Sequence, residues 1–213
     1  MSKVILFQGD SITDCGRDRN VADSLGTGYP RLVSSLLGFE NPGEYTFYNR
    51  GISGNRIVDL YARIKLDIIN LKPDVMSILI GVNDVWHEVS RGNGVDTAKF
   101  EKIYSMLIEE IKEALPDIKI MILEPFVLND RGTCSDEENP GRWEYFDAQV
   151  REKAAAAKRV AEKYNLIFVP LQQKLDDADA KLSGYWTKEG VHPTPYGHEL
   201  IKREWLKAYE SIK

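Results

Sequence analysis

The stretch KVILFQGDSITDCGR (residues 3–17) opens as an apolar run, KVILFQ, and breaks abruptly at a Gly-Asp-Ser turn. A short apolar run bounded by a turn has the pattern of a buried strand. Four further runs of that kind follow: YTFYN (45–49), DVMSILI (74–80), IKIMIL (118–123) and LIFVP (166–170). Between them the apolar spacing predicts helices near 29–37, 56–70, 97–115 and 143–164, with a last one at 195–212. A β-α unit repeated five times predicts an α/β fold whose five-stranded parallel sheet is covered on both faces. The third and fourth runs are apolar over most of their length, as central strands require.

Composition sets the bounds. The chain has 213 residues, 43% hydrophobic and 29% charged, the balance of a globular protein with a sizeable core, so residues 1–213 are expected to form a single domain. A net charge of −5 and the lack of a Lys/Arg cluster argue against nucleic acid and against an anionic membrane surface as partners. The start MSKVILFQG lacks the apolar region and cleavage site of a secretion signal, and no stretch approaches transmembrane length. The expectation is cytoplasmic, with Cys15 and Cys134 as two free thiols.

In parallel α/β sheets ligands bind beyond the carboxyl ends of the strands. Four segments fall on that rim: GDSIT after the first strand, NRGISGN (49–55) after the second, GVND (81–84) after the third and EGVHPT (189–194) beyond the fifth. Ser11 sits at a strand-to-helix transition, where free backbone N–H groups can stabilise an oxyanion at the atom it attacks. Taken alone, the serine is better explained as a helix N-cap, and Gly54 and Asn83 pass as turn residues.

A nucleophilic serine needs a base, and the chain has three histidines, His87, His192 and His198. His192 is best placed. Thr194 can cap a helix that begins at Pro195, which fixes the loop, and Glu189 stands three residues before the histidine, where a carboxylate can orient the imidazole. His198 falls in the first turn of the last helix and suits packing; His87 is expected as an exposed rim histidine. With strand order 2-1-3-4-5, strands one and five lie roughly 14 Å apart, and residues 171–191 can cross that gap. No two histidines share helical metal-ligand spacing, and a Walker loop is absent. Cys15 as nucleophile competes with Ser11 for the same loop and has no histidine nearby in sequence.

FQGDSIT, NRGISGN, IGVND and GVHPT, in that order over residues 7–194, resemble the four blocks of the GDSL or SGNH hydrolases. The resemblance implies a three-layer, flavodoxin-like fold, Ser11 as nucleophile, His192 as base, and the Ser11 N–H, Gly54 N–H and Asn83 side chain as oxyanion hole, with no cofactor and no metal. The longer matches GDSITDCGR, LGTGY, GISGN and IGVNDVW are similar to the branch that includes acetylxylan esterases, which implies acetylated sugars as substrates and suggests homo-oligomers. Where the family usually has Asp, this chain has Glu189, so a Ser-His-Glu triad competes with a Ser-His dyad oriented by a backbone carbonyl.

The favoured expectation is a serine esterase that removes acetyl groups from oligosaccharides. Asp10, Trp86, Tyr185 and Trp186 are the candidate substrate contacts, with Tyr29 and Trp143 completing the aromatic supply near the rim. The alternative is an esterase, thioesterase or lysophospholipase of longer acyl chains, which needs an apolar groove that the polar loops 13–28 and 129–142 do not suggest. A flavodoxin-like binding module, with Ser11 inert, is the remote third.

Overall fold

A computed structural model describes residues 2–213. Five strands, β1 (Lys3–Gly9), β2 (Tyr45–Asn49), β3 (Val75–Leu79), β4 (Lys119–Leu123) and β5 (Ile167–Val169), form one parallel sheet in the order β2-β1-β3-β4-β5. β1 lies between β2 and β3, with Phe7 opposite Asn49 on one side and Ser77 on the other. The carboxyl ends of β1 and its neighbours therefore form one edge.

Alternation along the strands sends Ile5, Phe7, Val75, Leu79, Met121 and Leu123 to one face, and Leu6, Met76, Ile78, Ile120 and Ile122 to the other. The first face is covered by α2 (Tyr29–Glu40) and α9 (Pro195–Tyr209), through Val33, Leu37, Ile201 and Trp205. The second is covered by α3 (Ile57–Ala62) and α6 (Thr97–Ala114), through Leu60, Tyr104, Leu107 and Ile111. α7 (Arg142–Lys163) is long enough to reach both clusters, placing Phe146 and Val150 in the first and Ala157 and Val160 in the second.

The expected strands and their order are present, and so are the expected helices, with one split. The segment 56–70 breaks into α3, α4 (Ile64–Asp67) and a 3-10 turn (Ile69–Leu71). The break is at Arg63, whose backbone leaves helical angles (φ −114°, ψ 15°) while its guanidinium donates to the carbonyls of Arg50 and Gly9 and to Asn55 and Asp67.

Three helices lack a strong sequence signal: α1 (Ser11–Asp14), α5 (Val82–Arg91) and α8 (Gln172–Asp179). α1 is a single turn. α5 is delimited by glycines: Gly81 (φ +138°) turns the chain out of β3, and Gly92 (φ +61°) ends the helix with its N–H on the Glu88 carbonyl. α8 is tied to the β4–α7 connection through the Gln172 amide, which bonds both the N–H and the carbonyl of Val127 at 3.0 and 2.8 Å. Cys15 and Cys134 are both free thiols. Among the described residues no helix is long and apolar enough to cross a membrane.

Candidate active site

β1 delivers Ser11 to the sheet edge through a turn that tolerates little variation. A Cβ on Gly9 would collide with the Leu79 carbonyl and with Thr13. Asp10 then caps α1, its Oδ1 accepting the Ile12 N–H at 3.0 Å, and α1 ends at Cys15 in the left-handed region (φ 37°). A helix of one turn has little macrodipole; what Ser11 gains from it is a backbone N–H with no intrahelical acceptor.

The nine-residue approach to the last helix is built as a tight hairpin. Thr187 pairs with Pro193, the Lys188 N–H donates to the His192 carbonyl at 2.9 Å, and the Thr194 N–H donates to the Trp186 carbonyl at 3.0 Å. Thr194 caps α9, accepting the Gly197 N–H at 3.4 Å, with Pro195 as the first helical residue. The hairpin presents His192 so that its Nε2 lies 2.8 Å from Ser11 Oγ, across 181 residues of sequence. Glu189 Oε1 accepts the His192 backbone N–H at 3.1 Å and contacts Nδ1 of the same imidazole. Facing a carboxylate, Nδ1 holds the proton, which leaves Nε2 as an acceptor for the serine hydroxyl. The Glu side chain folds back over its own loop, so its extra methylene is absorbed without displacing the histidine.

Room for that fold comes from the β4–α7 connection, for which the sequence offered no signal beyond a polar loop. A Cβ on Gly132 would stand 2.5 Å from the Glu189 carbonyl oxygen and 3.0 Å from its Cβ and Cγ. The Leu128 N–H donates to the Gly190 carbonyl at 2.8 Å, and Thr133 donates to the Leu128 carbonyl at 2.6 Å, so this connection braces the hairpin from behind.

Gly54 follows Ser53, which lines a cavity beside Ser11, and Asn83 is tied to the same loop through Asn55; neither Gly54 nor Asn83 itself lines that cavity. Gly54 sits at φ +82° in a turn closed by the Asn55 N–H on the Ile52 carbonyl at 3.1 Å. Among the described residues neither the Ser11 nor the Gly54 N–H has a protein acceptor. Asn83, at the start of α5, donates one amide hydrogen to the Asn55 carbonyl at 3.2 Å and keeps the second. Donors of this kind can stabilise a negative oxygen developing next to Ser11. The cavity beside Ser11, of about 470 Å³, has Thr27, Ser53, Lys188 and His192 in its wall alongside Ile12 and Pro193.

Burial corrects two expectations, those for Asp10 and Tyr29. Asp10 is 1% exposed and cannot meet a substrate; with its second oxygen unpartnered, burial pushes its carboxyl up to about 7. Tyr29 is fully buried in the core. Trp86 is half-buried, packing on Phe146 of α7 with the Arg142 guanidinium over its ring. Tyr185 stacks on Tyr196 at 4.2 Å and meets Trp186 edge-on; neither Tyr185 nor Trp186 lines the cavity beside Ser11.

His87 is a helical residue, not an exposed loop residue: it follows Asn83 by one turn on α5 and faces Gly54, and burial with the nearby Arg91 and Arg56 lowers its pKa. His198 takes the packing role. Its Nδ1 accepts the Tyr29 N–H at 3.2 Å, which leaves Nε2–H to point at Cys15 Sγ 3.3 Å away, and burial drives its pKa down to about 4.

The sequence profile of the GDSL-like lipase/acylhydrolase family matches residues 7–200. The chain is 34% identical to an acetylxylan esterase from Geobacillus stearothermophilus, over 95% of this chain and 92% of that protein. A crystal structure of an acetylxylan esterase from that organism superposes with a TM-score of 0.83 at 32% identity, covering 97% of this chain and 93% of the other. A protein from Parabacteroides merdae described as a GDSL-like lipase superposes with a TM-score of 0.87 at 38% identity, covering 99% and 97% of the two chains. The strand order, the matched blocks and these likenesses agree that the chain is a carboxylic ester hydrolase belonging to the GDSL-like lipase/acylhydrolase family.

Proposed function

We propose that this esterase removes acetyl groups from acetylated oligosaccharides, such as xylo-oligosaccharides, through an acyl-enzyme on Ser11. The observation that carries the mechanism is the chain of contacts from Ser11 Oγ to His192 Nε2, 2.8 Å, and from His192 Nδ1 to Glu189. The acetyl preference draws support from the likeness to an acetylxylan esterase.

Ser11 Oγ attacks the ester carbonyl as its proton passes to His192 Nε2, and the imidazolium is stabilised by Glu189. The Ser11 N–H, the Gly54 N–H and the Asn83 amide hold the negative oxygen of the tetrahedral intermediate. Collapse expels the sugar alcohol, which takes the proton from Nε2. Water then attacks the acetyl-enzyme with His192 again as base, releasing acetate and restoring Ser11.

Two measurements test this. Ser11→Ala retains its fold and loses both turnover and covalent labelling by a fluorophosphonate; persistent labelling excludes Ser11. On a panel of acetyl, butyryl and octanoyl esters with acetylated xylo-oligosaccharides, kcat/KM is at least about tenfold higher for acetyl than for octanoyl, a difference of about 1.4 kcal/mol in transition-state stabilisation. Comparable values across chain lengths instead indicate an esterase of longer acyl groups.

A further inference from the structure

The segment 50–57, which carries Gly54 and runs into α3, touches the body of the protein, among other contacts, through two buried carboxylates that the hydrolytic steps do not use. Asp14 is 3% exposed and lies one turn after Ser11 on α1. Its Oδ2 accepts the Ser53 N–H and the Ser53 hydroxyl, each at 3.0 Å, and the Arg19 guanidinium at 2.6 Å. Asp84 is 1% exposed, follows Asn83 on α5, and accepts the Ile57 N–H at 3.2 and 3.3 Å. Neither lines the cavity beside Ser11.

Each carboxylate is thus next to, or one turn from, a residue of the proposed machinery on its own helix, and each bonds a backbone N–H within three residues of Gly54. The loop itself lies flat on α1: a Cβ on Gly51 would overlap the Asp14 N–H and stand 2.8 Å from the Thr13 carbonyl carbon.

We infer that Asp14 and Asp84 are positioning residues that set the oxyanion hole, Asp14 holding the Gly54 loop to the nucleophile helix and Asp84 holding it to the Asn83 helix. The inference rests on Gly54 and Asn83 being the oxyanion donors proposed above. Donor placement matters steeply, since an error of about 1 Å at a reacting centre can cost about 100-fold in rate.

The two groups differ electrostatically. Burial acts to raise Asp14, but the bonds from Arg19 and Ser53 outweigh it and hold the carboxyl below its usual range, so Asp14 bonds as an anion. Burial pushes Asp84 well above its usual range against the opposing effects of the Ile57 N–H and the Lys153 ammonium. Asp84 accepts one backbone N–H, which an amide oxygen can also accept, whereas Asp14 pairs the Arg19 cation, so a neutral amide imitates Asp84 and not Asp14.

The test measures kcat, KM and the rate of Ser11 phosphonylation by a p-nitrophenyl phosphonate in Asp14→Ala, Asp14→Asn, Asp84→Ala, Asp84→Asn and Asn83→Ala, with circular dichroism to confirm folding. Both alanine variants are expected to lower kcat about 10- to 100-fold with KM within about threefold, and to slow phosphonylation by the same factor. Asp84→Asn restores kcat to within about threefold of the parent, whereas Asp14→Asn stays about tenfold down because its amide oxygen meets the Arg19 cation without a negative charge.

Parental kcat and phosphonylation in the alanine variants overturn the inference, as does a change confined to KM. Where an alanine variant fails to fold, the asparagine pair decides: parental rates in Asp14→Asn overturn the inference, and a loss there with Asp84→Asn intact supports it. If Asn83→Ala keeps its kcat, the oxyanion assignment fails; if Asn83→Ala is slow and the aspartate variants are not, only the positioning role fails.

Discussion

Replacing Glu189 by Gln removes one negative charge from beside the imidazole while leaving an oxygen that can accept from it. In the parent, one oxygen, Oε1, takes the His192 backbone N–H at 3.1 Å and faces Nδ1. The backbone donor keeps the amide oxygen, rather than the amide nitrogen, turned toward the histidine, so the tautomer survives and only the charge is lost. Two unit charges about 4 Å apart interact by about 4 kcal/mol at a surface-like dielectric and about 1 kcal/mol in bulk water. With side-chain exposures of 47% for His192 and 23% for Glu189, the pair lies between these limits and is screened by solvent. A loss of about 2 to 3 kcal/mol follows, or about 30- to 150-fold in kcat with KM little changed. Steady-state hydrolysis of an aryl acetate, with Ser11 labelling to count active sites, measures it. A loss under about threefold refutes a role for the charge and leaves a Ser-His dyad. A loss above about 10⁴-fold refutes the orienting role of the backbone N–H, because only a reversed amide and the wrong tautomer cost that much.

Gly132→Ala places a Cβ 3.0 Å from the Glu189 Cβ and Cγ, and is expected to lower kcat at least about tenfold with a normal circular dichroism spectrum; a parental kcat shows that the Glu189 loop has slack. Asp10→Asn removes a buried carboxyl whose pKa stands at about 7 in the folded chain against 3.8 when free. The raised folded value means that the parent loses stability as pH climbs from about 4 to about 7, so the advantage of the asparagine variant grows by about 2 to 3 kcal/mol between pH 5 and pH 8 in denaturant titrations. A constant or shrinking difference contradicts the burial argument.

Much of the architecture was legible in the chain, because the strands are short apolar runs and three of the four rim segments directly follow one. The four blocks mark Ser11, Gly54, Asn83 and His192 for the same reason: their chemistry is carried by short local patterns. α5 escaped because its exposed residues, with Glu88 and Ser90, and its bounding glycines at 81 and 92 give a mixed pattern over only ten residues. Tyr29 could not be told from a rim aromatic, because an aromatic has the same local sequence whether it faces solvent, like Tyr196, or lies in the core, like Tyr29.

What the sequence determined by itself is therefore the α/β order and the identity of the chemical groups, both written in periodicity and residue type. Only the tertiary structure decided who meets whom. Ser11 reaches His192 because β1 sits inside the sheet and the hairpin before α9 crosses back over its edge, a matter of strand order across 181 residues. The same holds for the glycine at 132 that admits the Glu189 side chain and for the burial of Asp10, Asp14 and Asp84. A carboxylate reads as a surface residue in sequence; desolvation and partners from distant segments give it its role, and neither exists before the chain has folded.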